Sequence, residues 1–191
     1  MDLQKRKITK ALAQARQRKR DVEGNVIIDM TVSNDDAFLS AYSGAEAPII
    51  SSDVADFIES NTRSLPPRES YTLRIYSDCI DEREKAEYTA AIKEYYLEKY
   101  VANKKELRAN WIITLLLLIS GIFVLSLAFH IEHNIWSEVI DIAAWVLLWE
   151  AVDIWAFKNR ELVILSKRCL AFMNMKVEFE KTEKKKQSNE Q

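Results

Sequence analysis

Four carboxylates interrupt a long apolar run, and their chemistry most needs explaining. Glu138, Asp141, Glu150 and Asp153 lie between Ile135 and Phe157, among Trp136, Trp145, Trp149, Trp155 and aliphatic side chains. An acid at the centre of a bilayer costs about 2.5–3.5 kcal/mol on insertion scales. Such groups therefore face a bundle interior, a partner or water. If the chain turns near His133, residue i stands level with roughly residue 266 − i of the preceding helix, because both helices rise equally. Asp153 then comes level with Thr114 and Asp141 with Ser126, so each has a hydroxyl within reach. Glu150 comes level with Leu116 and has none, which makes it the leading residue. Three readings compete for it. It pairs with the same surface of a second copy, lines a water-filled cation path, or reaches the hydrated edge near Lys158. Gly121 comes level with Trp145, a small residue against a large one, as close span packing requires.

The N-terminal segment supplies the second chemistry. Lys5, Arg6, Lys7, Lys10, Arg16, Arg18, Lys19 and Arg20 stand together without an acid. Near a bilayer they would contact anionic lipid headgroups, at about 1 kcal/mol per basic residue; the alternative is a solvated tail. No aromatics are interleaved with these cations, and the net charge is -2, so nucleic acid is not an expected partner. His130 and His133 flank Glu132 at a spacing that could hold a metal, but no third ligand set accompanies them, and a polar interfacial loop is the plainer reading. Cys79 and Cys169 lack the C-x-x-C spacing and read as reduced thiols. The chain has no Gly-rich phosphate loop, nucleophile elbow or H-E-x-x-H, and only 2 His. Neither an enzyme nor a cofactor is expected.

The elements that would position these residues follow from charge distribution. Of 27 Lys and Arg, none falls between Trp111 and Phe157. Trp111–Phe129 is free of charge and long enough to span a bilayer. Ile135–Phe157 is weaker, but beside such a span it is expected to enter as the return half of a transmembrane hairpin. Lys104, Lys105 and Arg108 precede the pair and Lys158 and Arg160 follow it, which predicts both termini in the cytoplasm. Trp111, Trp136 and Trp155 fall where interfacial aromatic belts are expected.

The stretch Trp149-Glu150-Ala151-Val152-Asp153, followed by Phe157-Lys158-x-Arg160-Glu161-Leu162, resembles a group of short bacterial two-span membrane proteins with no assigned activity. The resemblance covers about a quarter of the chain. It implies a hairpin and a bacterial plasma (inner) membrane, and carries over no functional residue.

Outside the apolar region three segments alternate with period two, as half-buried strands do: Val26–Val32, Tyr71–Tyr76 and Met175–Glu180. Ser51-Ser52-Asp53 offers an N-cap for a helix with Val54, Phe57 and Ile58 on one stripe, and Asp81 with Glu84 forms a capping pair. From Glu82 no Gly or Pro occurs until Gly121, so one helix with a stripe of Tyr88, Ile92, Tyr95, Tyr96 and Tyr100 is predicted to run towards the membrane. That arm is longer than the return arm, which predicts a break near Ala102-Asn103 or staggered strands. The expected organisation is a basic segment over 1–22, a cytoplasmic α/β part over 23–109, a transmembrane hairpin over 110–157, a returning helix and strand over 158–181 and a charged tail over 182–191. The fold class is thus an α/β membrane protein, with the two-helix hairpin inserted between strands of a small sheet. The expected function is a scaffolding or recruiting subunit that self-associates through its spans and binds a cytoplasmic protein. An oligomeric, ion-conducting or membrane-permeabilising effector is the alternative.

Overall fold

Val26, Ile28 and Met30 alternate with Ile27, Asp29 and Thr31, and a strand is the conformation that separates those two sets. The computed structural model describes residues 19–44, 47–128, 130 and 135–182. In chain order the elements are β1 (Val26–Thr31), α1 (Ser52–Thr62), β2 (Tyr71–Tyr76), α2 (Glu82–Ala128), α3 (Ile135–Asp153), a π-helical turn (Ile154–Lys158), α4 (Asn159–Met173) and β3 (Lys176–Glu180). The sheet has the order β1-β2-β3 and every pairing is parallel, with Ile28 beside Leu73 and Leu73 beside Val177.

Two units share the chain. The first holds residues 1–99 and 167–191, the second 100–166. In the first, one sheet face is apolar: Val26, Ile28, Leu73 and Ile75 are buried there. Ile58 of α1, Ile92 and Tyr96 of α2 and Phe172 of α4 are buried with them. The rings join across elements, Phe172 lying 5.4 Å from Tyr71 and 4.7 Å from Tyr96. Tyr88 stacks on Phe38 at 4.4 Å and donates its hydroxyl to Asp35 at 2.9 Å. Burial, then the Asp35 carboxylate, pushes that phenol well above its ordinary pKa.

The other face is polar. Arg74 lies 3.4 Å from both Glu178 and Glu180 on β3. The Thr72 hydroxyl donates to Asp21 at 2.6 Å. That bond, with further bonds from Asn25 and the Glu23 amide, outweighs partial burial and lowers the Asp21 carboxyl from 3.8 to about 2.

Local signals set the helix ends. Ser51 caps α1 by accepting the Val54 amide at 3.4 Å. Asp81 accepts the Glu84 amide at 2.9 Å while Glu84 accepts the Asp81 amide at 2.8 Å, a reciprocal cap that starts α2. Helix α2 then runs unbroken through Ala102 and Asn103, so the expected break is absent. The strands are not staggered either. In a parallel crossover α2 leaves from the C-terminal edge of the sheet and α4 returns to its N-terminal edge. Within the sheet unit α2 contributes residues 82–99 and α4 only 167–173. That difference of about 11 residues, about 16 Å at the helical rise, matches the run of a five-residue strand.

The expected transmembrane hairpin is corrected here. One helix, α2, is long and apolar enough to cross a membrane, and only 11% of its apolar stretch is buried. Helix α3 does not qualify: Glu138, Asp141, Glu150 and Asp153 all fall within its 19 residues. Each acid carries an insertion cost that the flanking aliphatic residues do not remove. The fold is therefore a mostly helical α/β protein with a small three-stranded parallel sheet, holding one candidate membrane helix rather than two.

Two outcomes follow for the sheet unit. Phe172→Ala removes the ring shared by Tyr71 and Tyr96 and should lower unfolding stability by about 3–5 kcal/mol, read by denaturant titration in detergent. Asp21 has a folded-state pKa below its unfolded 3.8, so its contribution is complete above that value and fades as pH falls towards about 2. Asp21→Asn should thus flatten the stability loss of the intact chain across that acid window. An acid limb as steep as the wild type's would remove Asp21 as its cause.

Candidate functional site

In open parallel sheets, ligands bind outside the C-terminal ends of the strands, where loops diverge towards their helices. Here that edge carries a crevice of about 320 Å³ lined by Ser77, Asp78, Ile80, Lys85, Phe179, Glu180 and Lys181. Lys85 and Asp78 are engaged locally. Lys85 pairs with Glu82 at 2.5 Å and lies 6.0 Å above the Phe179 ring. Asp78 accepts the Thr182 amide at 3.1 Å, and hydrogen bonds from Thr182 hold its carboxyl below the usual range. Cys79 is exposed beside this edge, its Sγ 3.1 Å from the Ser77 hydroxyl. Among the described residues no histidine lines the crevice with Ser77; its carboxylates are those of Asp78 and Glu180. Cys169 is buried, and burial raises its thiol pKa, which makes it a poor nucleophile. No cluster of three metal-ligating side chains occurs among the described residues.

The helical unit is built around Gly121. A Cβ at that position would stand 2.8 Å from Leu148 Cδ2 and 3.4 Å from the Ala144 carbonyl, so only glycine lets α3 approach α2 this closely. Further along the pair a cleft of about 230 Å³ opens between Trp111, Thr114 and Leu118 of α2 and Ala151, Val152 and Trp155. Thr114 is buried and its hydroxyl has no hydrogen-bond partner. Searches against family models, curated proteins and solved structures find no match. Function must therefore be sought in this geometry alone.

Several expected partners are replaced by others. Gly121 packs against Leu148 and Ala144, while Trp145 is 58% exposed. The levelling of the helices is close, but their rotation turns Trp145 outward. Asp153 does not reach the Thr114 hydroxyl, and Asp141 is exposed. Glu150 lies 3.5 Å from Lys158 with about half of each side chain exposed. Residues eight apart stand about 80° apart on a regular α-helix. The π turn inserts one residue between them, which brings Lys158 nearly above Glu150 two turns along. Nothing in the sequence announced that turn.

Of the basic N-terminal set, Lys5, Arg6, Lys7, Lys10, Arg16 and Arg18 lie outside the described residues. Arg20 pairs with Glu69 at 2.7 Å, and the Lys19 carbonyl accepts the Ile27 amide at 3.0 Å, so both belong to the border of β1. His130 Nδ1 lies 2.9 Å from the Ser126 carbonyl; Glu132 and His133 lie outside the described residues.

Gly121→Leu should loosen the α2–α3 pair, with an overpacking cost of about 1–3 kcal/mol. Adding Leu148→Ala to the same chain should restore part of the loss in thermal unfolding. A Gly121→Leu protein that melts like the wild type would show that the close approach contributes little.

Proposed function

We propose that this protein is a membrane-anchored scaffolding subunit, held at a bilayer by the apolar stretch of α2 and recruiting a partner protein through its α/β unit. The observation that carries this reading is the exposure of Ile112, Ile113, Leu115, Leu116 and Leu118 together, on more than one side of a single helix. The core helix of a globular domain is mostly covered, whereas a helix apolar all round needs lipid or another chain against it. Lys104, Lys105 and Arg108 lead into the stretch, which assigns the sheet unit to the cytoplasmic face of a bacterial inner membrane. Leu115, Ile119 and Phe123 of α2 also offer the surface through which copies associate. The locally engaged charges of the sheet-edge crevice favour recruitment over catalysis.

The intact chain should stay with membranes through alkaline carbonate washing and leave them only with detergent. Leu116→Glu with Ile119→Glu should release it or abolish insertion, while the sheet unit keeps its protease resistance. Crosslinking in membranes should yield dimers or larger species. Release of the wild type by carbonate would overturn the anchor, and currents across reconstituted bilayers would replace scaffolding with conduction.

A further inference from the structure

At the N-terminal edge of the sheet, opposite the crevice described above, the sheet unit carries a second cavity of about 360 Å³. Its lining is Arg68, Glu69 and Ser70 from the loop before β2, with Lys167, Leu170, Ala171 and Asn174 from α4 and the turn that follows it. The loop is held in place. Arg168 donates to the Arg63 carbonyl at 3.0 Å and the Leu65 carbonyl at 3.5 Å, and Tyr71 donates its hydroxyl to the Pro66 carbonyl at 3.4 Å. The Glu69 amide closes a turn onto the Pro66 carbonyl at 3.2 Å. Arg68 is thereby presented from a braced turn towards the helix that bears Lys167.

The charges here differ from those at the opposite edge. Glu69, the one acid in the lining, is already neutralised by Arg20 at 2.7 Å. Arg68 and Lys167 form no ion pair with any described residue. These two cations and the Ser70 hydroxyl thus share a cavity whose wall, Leu170, is an exposed apolar side chain; the Asn174 side-chain amide lines it too, with one N–H donated to the Leu170 carbonyl at 3.0 Å and the other left for a ligand. A guanidinium fork and an ammonium beside neutral donors match the oxygens of a phosphate. An adjoining apolar wall matches what a lipid carries next to its phosphate.

We propose that this cavity binds a phosphate-bearing anion, with Arg68 and Lys167 as its charge contacts and Ser70 and Asn174 as its neutral donors. A phospholipid headgroup is the source that fits the membrane-anchored reading above, and on that reading alone the lipid assignment rests. Binding of the phosphate itself does not depend on it.

The test uses the full chain in a neutral detergent. Short-chain phosphatidylglycerol, short-chain phosphatidylcholine and inorganic phosphate are titrated separately against wild type, Arg68→Gln/Lys167→Gln and Arg68→Lys/Lys167→Arg. The wild type should bind phosphatidylglycerol more tightly than phosphatidylcholine, and more weakly as salt rises. The glutamine pair should lose roughly tenfold or more in affinity, the scale of two basic contacts, and the charge-preserving pair should keep most of it. Preference for the anionic lipid over inorganic phosphate supports the headgroup. Equal binding of inorganic phosphate supports the site with a soluble phosphate compound as its source. Affinity unchanged in the glutamine pair, or no binding of either anion, overturns the proposal. Carbonate extraction of the same proteins reads the anchor separately, so failure of one is not mistaken for failure of the other.

Discussion

Strand β2 hydrogen-bonds along both edges to strands running in its own direction, and everything else in the molecule accommodates that arrangement. A parallel neighbour cannot be reached by a tight turn; the chain must travel back to the starting edge first. Between β1 and β2 the return is made by α1. Between β2 and β3 it takes α2, α3 and α4, and the whole apolar region is accommodated inside that single crossover. Because β2 is buried on both faces, its sequence is apolar on one side and Thr72, Arg74 and Tyr76 on the other. The polar set is bound to its neighbours rather than left in water.

The two edges of the sheet divide the charges between them. At the C-terminal edge, Lys85 and Asp78 are engaged by Glu82 and Thr182, and α2 starts from a closed reciprocal cap. At the N-terminal edge, Arg168 is engaged by backbone carbonyls while Arg68 and Lys167 form no ion pair with any described residue. The outer strand β3 is lined with Lys176, Glu178 and Glu180, and such alternating charge discourages a further strand from adding at that edge. The border of β1 is covered in part by residues 19 and 20. Growth of the sheet by edge pairing is thus blocked on one side by charge and obstructed on the other by the chain itself.

The strands were readable because a half-buried sheet favours alternation, and Val26, Ile28 and Met30 keep one face apolar although Ile27 interrupts the polar set. The Asp81–Glu84 cap was readable because its chemistry is local. The aromatic stripe of α2 was readable in part: Tyr88 and Tyr96 are buried, whereas Tyr95 and Tyr100 are only half-buried. Rotation about a helix axis was harder. The level of Gly121 can be estimated from rise, but a small error in phase exchanges Trp145 for Leu148. Four acids within its 19 residues make α3 unlike α2, whose apolar stretch has none. The π turn depends on packing rather than propensity, so the Glu150–Lys158 pair left no trace in the spacing. Arg68 and Lys167 stand almost a hundred positions apart, and only the crossover brings them to one edge.

The long crossover also fixes an order of events during synthesis. Strand β3 emerges from the ribosome about a hundred residues after β2, when all of the apolar region has already been made. Until then β1 and β2 form a two-stranded sheet with one open edge, a marginal structure in water. The loop that must close is long, and non-local pairing of this kind is slow. A nascent chain therefore completes its sheet only after its most apolar segment has been made. Until β3 arrives, the edge of β2 that it will cover stays unpaired, the kind of edge that makes an incomplete chain prone to aggregate.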